Sequence, residues 1–219
     1  MSRSAYYADE FVTLYSGDCY ELLPTIKRSV AVVTDQPYGT GWVKGGGGVG
    51  EFAFQRSAAA GSADHAEWDR WDLSWIRLVN RPAAGAVFGP NSRAAELRDG
   101  MPKPNRNVWW RKTNPRPNGP DREPICVWPA HLPDGLEFRA YNGDTPLHPN
   151  QKPLDLMLWA LGFVDPALLV LDPFAGSGTT LVAAKSLHRR AIGIERNEAY
   201  CEAAALRLSQ DVLDLGGVA

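Results

Sequence analysis

The stretch LLVLDPFAGSGTT, residues 168–180, decides the architecture of this chain. An apolar run ends in Asp172, a turn of small residues follows through Gly176, Ser177 and Gly178, and Thr179 or Thr180 then opens a helix. A strand that delivers an acid into a glycine turn and a helix start is how α/β sheets build ligand sites at their carboxyl edge. A second apolar run, AIGIE at 191–195, ends in Glu195, nineteen residues after Gly176. An acid at such a strand end can accept both hydroxyls of a ribose. Further apolar runs occur at 30–33, 86–88, 107–110 and 125–128. Helix-like patterns at 72–80, 154–163, 179–187 and 198–209 lie between several of them. Strands alternating with helices give an α/β fold, and continuous apolar runs indicate strands covered on both faces. The runs at 107–110 and 125–128 have no helix between them and are read as an antiparallel hairpin at one end of a mostly parallel, Rossmann-like sheet. The intervening KTNPRPNGPDREP is too rich in proline and glycine for regular structure. KGGGGVG at 44–50 reads as a mobile loop.

The chain has 219 residues and is 44% hydrophobic, enough for one domain spanning 1–219. It lacks an uninterrupted apolar stretch of membrane-spanning length and an N-terminal apolar signal core, so neither a membrane nor secretion is expected. Cys19, Cys126 and Cys201 are far apart and odd in number, which suggests a reducing, cytoplasmic setting and no metal site. The net charge of −2 does not advertise nucleic acid. Between residues 101 and 123, however, six basic residues face only Asp121 and Glu123. That local surplus can attract phosphate.

The glycine turn narrows the ligand. No lysine follows GSGT, which disfavours a nucleoside triphosphate, and the spacing GxGxxG is absent. Asp172 would repel a pyrophosphate but pair with a cationic amine. S-adenosylmethionine, with its amino group, sulfonium and ribose diol, fits better than a nicotinamide dinucleotide.

VVTDQPYG at 32–39 resembles the (D/N/S)PP(Y/F/W) signature of DNA amino-methyltransferases. LYSGDCYELL, VWWRKTNPRP, HPNQKPLDLM, LLVLDPFAGSGTT and AIGIERNEAYCEAAALRL resemble that family's other signatures, over nearly the whole chain. The signature DQPY comes first and the glycine loop last, which resembles the circularly permuted β group of N6-adenine and N4-cytosine enzymes. The resemblance implies direct methyl transfer to a base rotated out of the duplex. Asp35 and the backbone carbonyl of Gln36 would accept hydrogen bonds from the target amino group, Pro37 would stiffen the loop, and Tyr38 would stack on the base. An acidic first residue favours adenine over cytosine. Gln36 is a departure, since the family carries proline there, and it places an amide near the pocket. The alternatives are an N4-cytosine DNA methyltransferase and a cofactor- and DNA-binding homologue left weak or inactive by Gln36, and Gln36→Pro would expose the second.

By the same carry-over, Asp18 would bind the cofactor's adenine with Cys19 beside it, and Lys152 would hold its methionine end near His148 and Asn150. Asp172, Phe174, Ala175, Gly176, Ser177, Gly178 and Thr179 would form the cofactor loop, with Glu195 and Arg196 at the ribose. DNA would meet Trp42 near the base, Arg111, Lys112, Arg116 and Arg122 at phosphates, and Arg139 nearer the bases. Trp109, Trp110 and Trp128 read as core or near-core. The target-recognition interval, about 129–147, is short. It implies a short recognition sequence, a homodimer, or a separate recognition partner, in a bacterial or phage-infected cell.

Overall fold

A computed structural model describes residues 4–39, 70–113, 121–129, 136–138 and 151–210, with the backbone alone for 136–138. The expectations for Trp42, the 44–50 loop, Arg116, Arg139, His148 and Asn150 lie outside these residues.

Nine strands form one sheet among the described residues. They are β1 Tyr7–Ala8, β2 Val12–Ser16, β3 Val30–Asp35, β4 Pro82–Phe88, β5 Arg106–Lys112, β6 Arg122–Trp128, β7 Leu136–Phe138, β8 Leu169–Asp172 and β9 Ala191–Glu195. Their order is β1-β2-β9-β8-β3-β4-β6-β5-β7. The five central strands, β2 to β4 in that order, are parallel. β6 runs antiparallel to both β4 and β5, so the expected hairpin closes one side of the sheet. β7, the described piece of the recognition interval, adds to β5 in parallel.

The chain leaves β3 towards β4 on one side and leaves β8 towards β9 on the other. β3 and β8 are neighbours, so their carboxyl ends flank a topological switch point, where doubly wound sheets hold ligands. This one junction brings together the two loops singled out in the sequence.

Both faces of the sheet are covered. Ala31, Val33 and Val170 pack under three helices, α3 Leu154–Gly162, α4 Thr179–Ser186 and α5 Glu198–Ser209. Val30, Val32 and Leu171 pack on the other side against Trp75, Leu97 and Leu23. That layer comes from α1 Cys19–Leu22 with the 3-10 turn Leu23–Thr25 after it, α2 Ala94–Gly100 and a 3-10 turn at Ser74–Leu78. Trp110 and Trp128 are buried as expected, and Trp109 is partly exposed.

Three readings need correction. The helix expected at 72–80 is only a 3-10 turn, because the Asp72 carboxylate captures the Ser74 N–H (2.8 Å) and hydroxyl (2.9 Å). Arg122–Pro124, expected in the irregular connection, already belongs to β6. β2 is missing from the expected strands because VTLYS alternates apolar with polar residues, yet Val12 and Leu14 are wholly buried against β9. No helix among the described residues is long and apolar enough to cross a membrane.

The start of α4 rests on Gly178, whose φ of 80° is left-handed; a Cβ added there would lie 2.9 Å from that of Ala204. Gly178→Ala therefore meets strain and a clash together. It is expected to cost more than about 1 kcal/mol of unfolding free energy, read as a lower urea midpoint at unchanged slope.

Candidate active site

Asp35 closes β3, and its Oδ2 accepts a hydrogen bond from Lys152 Nζ at 2.8 Å. Lys152 stands just before α3, only 6% exposed, and also donates to the Tyr38 hydroxyl at 3.0 Å. Tyr38 in turn donates to Glu123 Oε2 at 3.1 Å, and Lys112 pairs with Glu123 Oε1. Lys152 Nζ lies 3.4 Å from Glu123 Oε2 as well, and 5.0 Å from the centre of the Tyr38 ring. Two lysines and two carboxylates thus form a neutral cluster around the Tyr38 hydroxyl.

Charge and burial act against each other here. Burial raises the Asp35 carboxyl above its ordinary range, and Lys152 only partly opposes this. Burial also pushes Glu123 up, but Lys152 and Lys112 more than offset it and hold Glu123 below the usual value. Burial alone would lower Lys152, yet Asp35 and Glu123 carry it above the ordinary lysine value, so it stays charged. Burial, then Asp35 and Glu123, drives the Tyr38 hydroxyl well up. Asp35 Oδ1 is left as a buried acceptor with no donor among the described residues. A buried acceptor without a partner is costly in a closed fold and useful in a site that receives an N–H group.

The second loop begins at Asp172, 2% exposed, whose Oδ1 accepts from the Thr34 hydroxyl at 2.5 Å and the Phe174 N–H at 3.1 Å. Thr34 precedes Asp35, so this bond ties the two loops together. Burial raises the Asp172 carboxyl to about 6 despite help from Thr34 and Thr180. Glu195 Oε2 accepts from Gly176 N at 2.8 Å and Oε1 from Asn197 N at 2.7 Å. Burial moves the Glu195 carboxyl up. The parallel register of Ser16 with Glu195 sets Asp18 beside this acid. Asp18 caps α1 through Tyr20 N (2.8 Å), and its Oδ2 lies 3.6 Å from Arg196.

The structure brings some of the expected site residues together and leaves others apart. Asp18, Asp172, the glycine turn, Glu195 and Arg196 do converge along the carboxyl edge of β2, β9 and β8. The backbone N–H groups expected to face a ligand are occupied: Gly176 N serves Glu195, and Gly178 N donates to the Ala175 carbonyl at 2.8 Å. Ser177 and Thr179 are buried, and Arg207 of α5 holds both through the Ser177 carbonyl (2.6 Å) and Thr179 Oγ1 (3.2 Å). Cys19 is a core thiol pushed up to about 12 by burial. Lys152, expected at the methionine end, instead contacts Asp35, Tyr38 and Glu123. Lys112, expected at phosphates, is held inside by Glu123 with only 13% of its side chain exposed. Arg111 and Arg122 are exposed and directly opposite each other across β5 and β6. The Gln36 amide, expected near the pocket, is buried. Its Oε1 accepts from the Trp75 indole N–H at 3.0 Å in the layer opposite α3.

Glu123, Thr34, Trp75 and Arg207 are site residues that the sequence alone does not single out. Only Glu123 carries a signal there, as an acid in phase with Ile125 and Val127 on a strand buried on both faces.

A doubly wound sheet with an acid–aromatic loop and an acid–glycine loop on either side of its switch point defines a methyltransferase-type α/β protein. Similarity to known proteins agrees. The N6/N4 family model described as DNA methylase matches residues 89–206, more than half of the chain, and the chain belongs to that family. It is 28% identical to the type II methyltransferase M.HinfI of Haemophilus influenzae over 248 aligned positions, covering 90% of this chain and 68% of M.HinfI. It is 47% identical to M.HindIII of the same species over 74 positions, covering 33% of this chain and 24% of that protein. Among solved structures it is similar to M1.HpyAVI in complex with SAM, with a TM-score of 0.64 and 24% identity over 91% of this chain and all of that one. The cytosine-N4-specific PvuII DNA methyltransferase gives a TM-score of 0.65 at 16% identity, over 97% of this chain and 92% of its own. At these identities the two structural likenesses concern the fold.

Proposed function

We propose that this protein transfers the methyl group of S-adenosylmethionine to the exocyclic amino group of a flipped base in DNA, with adenine N6 as the target. The observation that carries the reading is Asp35 Oδ1, a buried acceptor without a donor among the described residues, one hydrogen-bonded step from the loop of Asp172. Its acidic character favours adenine.

S-adenosylmethionine supplies a methyl group on a sulfonium; the N–C bond forms as the S–C bond breaks, leaving S-adenosylhomocysteine. Glu195 accepts from the backbone N–H groups of Gly176, Asn197 and Arg196, which leaves acceptor capacity on its carboxylate for a ribose hydroxyl. Asp18, 33% exposed at its side chain, supports an adenine amino contact, and the ionised Asp172 supports a nearby cation. On the base side, Asp35 and the Gln36 carbonyl accept the two amino hydrogens, which localises the nitrogen lone pair towards the methyl donor. Lys152 meets Tyr38 at its hydroxyl end, and the base stacks on the Tyr38 ring. The proton released from the methylated nitrogen passes to water. Arg111 and Arg122 contact phosphates, and a second copy or a separate partner extends recognition beyond the short interval at 129–147.

Because the Asp172 carboxyl titrates at about 6, binding of the cationic cofactor favours its ionised form. Affinity for S-adenosylmethionine is expected to hold above pH 6 and to weaken as pH falls below it. Calorimetric titration from about pH 8 to about pH 5 checks this, and Asp172→Asn should remove the pH dependence. For the fold alone the sign is opposite: a raised carboxyl costs stability above pH 6, and acidification relieves it.

Transfer of labelled methyl groups to unmethylated duplex DNA, resolved by base, tests the whole reading. Label in N6-methyladenine supports it, label in N4-methylcytosine replaces the target base, and label in neither refutes it.

A further inference from the structure

The second position of the acid–aromatic loop is where this chain departs from the family's proline, and the structure shows what stands in its place. Gln36 is 2% exposed and Trp75 is wholly buried. The indole N–H of Trp75 donates to Gln36 Oε1 at 3.0 Å. This contact lies in the layer holding Val30, Val32 and Val87, whereas the Asp35 partner Lys152 approaches Phe88, whose layer holds Ala31 and Val33. Asp35 and Gln36 are therefore anchored on opposite faces of the sheet. The Trp75 ring also meets Phe174 of the glycine loop edge-on, with centroids 5.4 Å apart.

We propose that Trp75 is a positioning residue: by clamping the Gln36 amide it fixes the Gln36 backbone carbonyl as the second acceptor for the target amino group. The proposal rests on the methyltransfer reading. Its physical basis is that a glutamine in place of proline frees the backbone dihedral that a pyrrolidine ring would lock. A buried hydrogen bond from a packed indole returns that restraint through the side chain. Gln36 Nε2 has no partner among the described residues, so the indole bond supplies the restraint on the amide that these residues show. The amide is held in the layer opposite Lys152.

The test is a double-substitution cycle in the full chain with Trp75→Phe, Gln36→Pro and both. Phenylalanine keeps a ring beside Phe174 but donates no hydrogen bond. Trp75→Phe is expected to lower kcat about tenfold, with the dissociation constant for S-adenosylmethionine within about twofold of wild type. In the Gln36→Pro background, where no amide needs holding, the same change should lower kcat by less than about twofold. An equal fall in both backgrounds overturns the clamp, as does a fall explained by cofactor affinity alone. Urea unfolding of the same four proteins gives a readout that needs no catalysis. Trp75→Phe should lower the midpoint less in the Gln36→Pro background than in wild type. If wild type methylates nothing, the methyltransfer reading fails, and an additive unfolding cycle would separately refute the pairing.

Discussion

Lys152→Met is expected to lower the unfolding free energy by about 3–5 kcal/mol at about pH 7, the cost of leaving buried charge without its partner. Lys152 is the ammonium shared by Asp35 and Glu123 at 2.8 and 3.4 Å, and it is only 6% exposed. Without it Glu123 retains Lys112, but Asp35 has no paired cation among the described residues, and its carboxyl, already raised by burial, moves up further. An acid raised in the folded state costs stability above its folded pKa, and that cost disappears as pH falls through it. The deficit of Lys152→Met should therefore shrink between about pH 7 and about pH 5. Urea unfolding at both pH values checks this. A loss below about 1 kcal/mol, or one that grows on acidification, would mean that the cluster is solvated and weak.

Asp35→Ala is expected to lower kcat by about a thousandfold, within the range for removing one positioned acceptor or proton-transfer group. Lys152 keeps Glu123 as a partner in this variant, so the fold should survive. The binding of S-adenosylmethionine should change little, because among the described residues the hydrogen-bonded link from the Asp35 loop to Asp172 runs through Thr34, which the substitution leaves in place. Steady-state kinetics with calorimetry separate the two effects. A loss smaller than about tenfold would remove Asp35 from the chemistry.

The sheet is legible in the sequence wherever burial makes the code simple. VAVVTD, LVLD and AIGIE are strands covered on both faces, and continuous apolar runs leave little else for them to be. The helices over 154–162, 179–186 and 198–209 are also legible, as helix-like stretches between and after the apolar strand runs. β2 is obscured because its polar residues interrupt the apolar run, and the turn at 74–78 because one aspartate outcompetes a helical pattern. The site is legible as two loops but not as a network. Lys112, Glu123 and Lys152 come from two strands and a helix approach far apart in sequence, and a lysine bound inside reads on paper like one facing phosphate. What Gln36 does is equally hidden, since its partner Trp75 lies thirty-nine positions away.

Methyl transfer to a base amino group is tested most directly by the products of one reaction. Purified protein, S-adenosylmethionine and unmethylated DNA are incubated, and S-adenosylhomocysteine and modified nucleosides are quantified together by mass spectrometry. The expected result is one N-methylated base for each S-adenosylhomocysteine in wild type, and neither above background in Asp35→Ala. Methyl groups on cytosine C5, or no methylated amino group from protein that binds both cofactor and DNA, would contradict it.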